Sequence, residues 1–305
     1  MSDRTPTGAR PALRYAAALV VFTVAGAAGF WMSMTSPKLP GTEALTLEDA
    51  VDAVALLLFG VLGAALLVKG RATGLGRALL LTGGMIALDY LLSGFADAIA
   101  EGQPRPVAAA RLLNIASEAA FVVAFFLLAL APLFLFPTGR LPSRRWRLVA
   151  GAAVLGCGVS VLSVLLTPGP VDEDVTAWGE NPIGLHAVPG LMDALETAGM
   201  ALLAVSLVAG LAAFVIRWLR YRGPRRQQMA WFTIGVVVQV TGLLTDNSGK
   251  PVVVEVLTAL AIFAAMLWGI GWPLLGPLGS LADAPDHVTS APAKSDQSTG
   301  KVSSL

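Results

Sequence analysis

Residues 110–147 read ARLLNIASEAAFVVAFFLLALAPLFLFPTGRLPSRRWR, and their reading decides the fold. The apolar run 110–136 is longer than the roughly 20 residues that carry a helix across about 30 Å of hydrocarbon. It lacks the alternation of a barrel strand. Pro137 then stops the helix, Thr138-Gly139 turns the chain, and Pro142-Ser143 starts the next helix. Arg140, Arg144, Arg145 and Arg147 fall where lipid headgroups would hold them, with Trp146 at the interface. The unit is a spanning helix that ends in a rigid basic hairpin.

Working outward, comparable apolar runs lie at about 13–34, 50–68, 77–100, 146–167, 190–219, 228–246 and 252–276, which with 110–136 makes eight. Breaks at Ser36-Pro37, Gln103-Pro104, Phe136-Pro137 and Gly223-Pro224 separate several of them. A chain that is 55% hydrophobic and 13% charged cannot keep a soluble surface wetted. The fold class is therefore an all-α polytopic membrane bundle of about eight transmembrane helices. Residues 1–12 are read as a cytoplasmic N-terminus, 13–276 as the transmembrane domain, and the Ser-, Ala- and Pro-rich 277–305 as a disordered cytoplasmic tail.

Lysine and arginine set the orientation. Of the 21 basic residues, all but Lys38, Arg105, Arg111 and Lys250 fall in the N-terminus, the even-numbered loops or the tail, so these are predicted to face the cytoplasm. The expected location is a bacterial plasma membrane, with both termini on its cytoplasmic side. The first run, preceded by arginines and containing Ala25-Gly26-Ala27, has the flanks of a secretory signal but too long an apolar stretch, so it is expected to be retained. The exterior loop 168–189 carries Asp172, Glu173, Asp174, Trp178 and His186 and no basic residue, which makes it the external segment with most to offer a ligand.

Composition excludes several functions. A net charge of +1 with short, loop-confined basic clusters gives no nucleic-acid surface. The single cysteine, Cys157, falls in an apolar run and allows neither an internal disulfide nor a multi-cysteine metal site. His186 and His287 fall on opposite sides of the membrane, and no metalloprotease, serine-hydrolase or P-loop motif occurs. Neither a cofactor, a metal nor a catalytic residue is expected.

Ionisable residues inside the membrane are costly and mark candidate sites. Asp89, Ser93 and Asp97 form a polar stripe at steps of four on the third helix, and Arg111, Asn114 and Glu118 form another on the fourth. Facing each other, they would pair Arg111 with Asp97 near the exterior and leave Asp89 and Glu118 deeper, in a cavity for a cation, a proton or a polar ligand. Interhelical hydrogen bonding for packing alone is the competing reading. Asp52, Asp193, Glu196, Glu255 and Gln239 are further polar positions in the helices, and Gly60 with Ala64 offers a close helix contact. The basic loops, above all Arg140, Arg144, Arg145, Arg147, Arg225 and Arg226, are expected to contact anionic lipid or an acidic partner.

Three segments carry a family resemblance: LFPTGRLPSRRWR at 135–147, Glu180-Asn181-Pro182-Ile183-Gly184-Leu185, and RGPRRQQMAWF at 222–232. In this order and helix spacing the chain resembles, over about residues 10–275, the membrane-spanning N-terminal sensor region of two-component histidine kinases of high-GC Gram-positive bacteria. In those kinases a dimerising helix with a phospho-accepting histidine and an ATP-binding domain follow. Here His287 sits in Asp-His-Val-Thr without an acidic neighbour after it, so autophosphorylation is carried onto no residue. The expectation is a stand-alone sensor-like module without catalysis, which signals through a separate kinase or other protein at its basic loops and has homodimerisation open to it. The alternative is a small transporter or a proton- or cation-coupled channel built on the intramembrane acids, although neither an inverted repeat nor a broken helix pair is evident.

Overall fold

A computed structural model describes residues 9–37, 39, 47–101, 103, 106–171, 175–244 and 252–277. The tip Asp172-Glu173-Asp174, His287 and nearly all of the tail lie outside the described residues, as do the side chains of Gln239 and Glu255. In chain order the helices are α1 (Ala9–Thr35), α2 (Leu47–Val68), α3 (Thr73–Ala100), α4 (Ala108–Leu135), α5 (Trp146–Leu166), α6 (Pro189–Arg220), α7 (Gly223–Leu244) and α8 (Val252–Leu275). No strand occurs among the described residues; an isolated bridge joins Pro170 to Glu180. At about 1.5 Å per residue each helix reaches roughly 30 Å or more, and among the described residues six helices, α1 to α6, are long and apolar enough to cross a membrane.

Helix limits follow the apolar runs closely, with two departures at the basic hairpins. α5 begins at Trp146, and Pro142-Ser143 stays in the turn before it, where the Ser143 carbonyl accepts from the Trp146 amide. α7 begins at Gly223, so Pro224 sits in its first turn, where a missing N–H costs nothing, and Arg225 and Arg226 belong to the helix rather than to a loop.

α3 is the central helix and packs against α1, α2 and α4. Backbone meets backbone on two of its faces. A Cβ on Gly94 would run into Gly29 of α1, and one on Gly83 would stand 2.7 Å from the Gly60 Cα of α2. A second close approach on α2 is made by Gly63 against Gly76 and Leu80. Ala64 is buried as well.

One end of the bundle, where the arginine-bearing connections gather, has a dry core of Phe59, Leu66, Leu75, Leu79, Phe136, Met229, Phe232 and Ile270. Phe136 stacks on Phe232 with ring centres 4.7 Å apart. A smaller core of Ala96, Ala100, Ala110, Ile115 and Trp178 closes the other end.

Arg217 corrects the reading of basic residues as headgroup anchors. It is 4% exposed, and its guanidinium turns inward to donate to the carbonyls of Leu133, Phe134 (2.9 Å) and Phe136 (2.5 Å), and to Ala213 of its own helix (3.1 Å). The last carbonyls of any helix lack intrahelical donors, and Pro137 has no N–H for the Leu133 carbonyl four residues earlier. The end of α8 repeats the arrangement. Pro277 has no N–H for Pro273, whose carbonyl accepts from Gln228 Nε2 at 2.8 Å, and the Leu274 carbonyl accepts from Arg71 Nη1 at 2.8 Å.

Candidate functional site: a polar cavity among α3, α4, α5 and α6

Between the two cores lies a cavity of about 780 Å³. α3 contributes Asp89, α4 contributes Asn114, Ser117 and Glu118, α5 contributes Ser160 and Ser163, and α6 contributes Glu196. Phe121, Phe125, Phe126 and Met200 make much of the remaining wall apolar. Glycines set the α5–α6 side: a Cβ on Gly156 would meet Leu202 Cβ at 2.9 Å, and one on Gly199 would meet Ser160 Oγ at 2.5 Å. Ser117 Oγ donates to the Asn114 carbonyl at 2.7 Å, and Ser163 is buried beside Thr167, whose hydroxyl donates to the Ser163 carbonyl at 2.8 Å. The buried Ser160 Oγ has no partner among the described residues.

The connection between α5 and α6 roofs this space. Asn181, 5% exposed, donates through Nδ2 to the carbonyls of Leu165 (3.0 Å) and Thr167 (2.9 Å), and its Oδ1 accepts from the Ile183 amide (3.0 Å). One side chain thus caps α5 and folds the loop back on it. Gly184 has no room for a Cβ, which would stand 2.8 Å from the Pro168 Cα. Trp178, expected to face a ligand, is instead 4% exposed and anchors the loop on the α3–α4 corner, because a large apolar ring gains more from that core than from water. His186 is exposed.

The two polar stripes meet only in part. Asp89, Asn114 and Glu118 line the one cavity. Asp97 turns away and accepts from Ser33 Oγ of α1 at 2.5 Å. Four residues advance an α-helix about 40° past a full turn, so Asp97 is rotated about 80° from Asp89 and faces a different neighbour. Arg111, lying above Glu118 on its helix, donates through Nη1 to the Glu180 carbonyl at 2.7 Å and so holds the roof rather than pairing with Asp97.

Three carboxylates (Asp89, Glu118 and Glu196), two amides and several hydroxyls in a partly apolar chamber suit a proton, a hard cation or a small ligand with amino or hydroxyl groups, since an uncompensated charge there is costly. Among the described residues no group of three or more His, Cys, Asp or Glu is arranged to hold a metal ion. Sequence reasoning missed Ser160 and Ser163; Asn181 was seen only as part of a loop segment shared with a family, and Glu196 only as a helix-end acid. At the other end of the bundle Arg140, Arg144, Arg145, Arg147, Arg225 and Arg226 are exposed, and Arg140 and Arg225 border one further cavity. Compared with protein-family models, with curated proteins and with solved structures, the chain matches none.

Proposed function

We propose that this chain is a plasma-membrane sensor module of eight transmembrane helices, with its arginine-rich end and both termini in the cytoplasm. A proton, cation or small polar ligand enters the outer cavity, alters the packing of α3 against α4 to α6, and the change reaches a separate signalling protein at the basic surface. The observation that carries this reading is the placement of Asp89 and Glu118, from adjacent helices, in one cavity, with an apolar core packed between the helices toward the opposite end. Such a core across the bundle favours reception over passage. The resemblance to histidine kinase input regions and the alternation of basic loops through all eight helices support the same reading. In this view the module has no catalysis of its own.

The test is thermal unfolding of the purified chain across pH and in sodium, potassium and calcium. A shift in melting temperature is expected in the parent, absent in Asp89→Asn, weakened in Glu118→Gln and retained in Asp97→Asn, whose partner lies elsewhere. A parent that melts at one temperature in every condition would remove the sensing site. Ion flux in proteoliposomes that depends on Asp89 would favour the transporter reading instead.

A further inference from the structure

A second cavity, of about 540 Å³, lies at the arginine-rich end where three connections converge. The α2–α3 connection supplies Arg71 and Thr73, the α4–α5 connection supplies Thr138 and Arg140, and the first turns of α7 supply Arg225. These segments are held against one another by backbone. Gly139, with φ +72°, presses on Ala72, and a Cβ on Gly74 would collide with the Gly139 carbonyl. The floor is fixed as well, since Arg71 is tied to the Leu274 carbonyl at 2.8 Å.

We propose that this cavity is a binding site for a phosphate group, recognised by the guanidinium groups of Arg71, Arg140 and Arg225 with the hydroxyls of Thr73 and Thr138. Three arginines border it, and among the described residues that line it none is a carboxylate. Guanidinium forks match phosphate oxygens in pairs, which a diffuse basic surface does not do. α3 starts at Thr73 without a side-chain cap, so its first-turn amides and positive dipole end lie at the same place. The cavity sits at the end of apolar helices, so the phosphate belongs either to an anionic lipid or to a soluble phosphate in the adjoining water. The site requires nothing of the outer cavity and stands or falls separately from it.

The experiment measures melting of the detergent-purified full chain in two titrations. One uses dioctanoyl phosphatidylglycerol against dioctanoyl phosphatidylcholine; the other uses inorganic phosphate against chloride at matched ionic strength. A saturable rise with the anionic lipid alone identifies a headgroup site, and a saturable rise with inorganic phosphate as well identifies a site open to soluble phosphates. The variant Arg140→Gln with Arg225→Gln should weaken binding about tenfold or more, the scale of losing a charged hydrogen bond. Arg144→Gln with Arg145→Gln removes the same charge outside the cavity and should leave it intact. Arg140→Lys with Arg225→Lys keeps the charge and loses the fork, and should also weaken binding, which guards against a glutamine variant that folds poorly. No saturable rise in either titration, or equal loss in the two glutamine variants, would overturn the proposal.

Discussion

Arg217 supplies the hydrogen-bond donor that Pro137 lacks: its guanidinium reaches across from α6 to the Leu133 carbonyl, the group a residue other than proline at 137 would have served. Two more carbonyls, of Phe134 and Phe136, share the same side chain. α4 and α6 are thereby joined at the arginine-rich end by a charged clamp rather than by apolar contact alone.

Removing that clamp should be expensive. Arg217→Ala leaves three carbonyls without their donor at about 1–3 kcal/mol each where water cannot replace it. A loss of about 3 kcal/mol or more is expected in reversible unfolding, with Arg217→Lys intermediate because an ammonium cannot span all three acceptors. An alanine variant as stable as the parent would show that water fills the role.

The space around two glycines, one on α3 and one on α5, gives a prediction with contrasting outcomes. Gly94→Ala sets a methyl against Gly29 and should destabilise by about 1–3 kcal/mol through forced separation of α1 and α3. Gly151 on α5 faces open space, so Gly151→Ala should leave stability unchanged or raise it by up to about 1 kcal/mol from helix propensity. Parallel melting curves of the two variants decide the matter.

Much of this was legible in the residues themselves. The limits of α1 to α8 follow the apolar runs closely, because a helix satisfies its backbone groups within its own run of residues. The meeting of Asp89, Asn114 and Glu118 followed from short-connected neighbours and helical spacing. What failed were the partners at long range. Ser33, 64 positions from Asp97, claims a carboxylate that the spacing gave to Arg111. Arg217 looks, in sequence, like Arg220 three residues on, and nothing local tells an arginine that snorkels to the headgroups from one that turns inward. The signal was on the other helix, where the end of α4 and the missing N–H of Pro137 leave carbonyls in need of a donor. That need was readable, but not which residue meets it.

The roof of the cavity that holds Asp89 and Glu118 should depend on Asn181. Asn181→Ala removes three hydrogen bonds from a buried position and should open the α5–α6 connection to proteolysis and to rapid amide exchange, with the helices themselves unaffected. Asn181→Asp, which keeps the acceptor for the Ile183 amide but loses both donated bonds, should open it as well. Unchanged exchange at Ile183 and Leu185 in both variants would contradict this account of the loop.

Orientation is open to direct measurement. In a Cys157→Ala background, His186→Cys is expected to react with an impermeant maleimide on intact cells, and Arg144→Cys only after permeabilisation. The reverse pattern would invert the assignment of the two cavities to the two sides.

The capping of α4 and α8 by distant side chains bears on how the chain is made. The end of α4 leaves the ribosome 84 residues before Arg217, and the residue that caps Leu274 was made 203 residues before its target. Until α6 is inserted, the Leu133 carbonyl has to be served by water or by the insertion machinery, so α1 to α4 form an unfinished intermediate. A gene split between α4 and α5 should therefore yield two fragments that are degraded when expressed singly and recovered when expressed together.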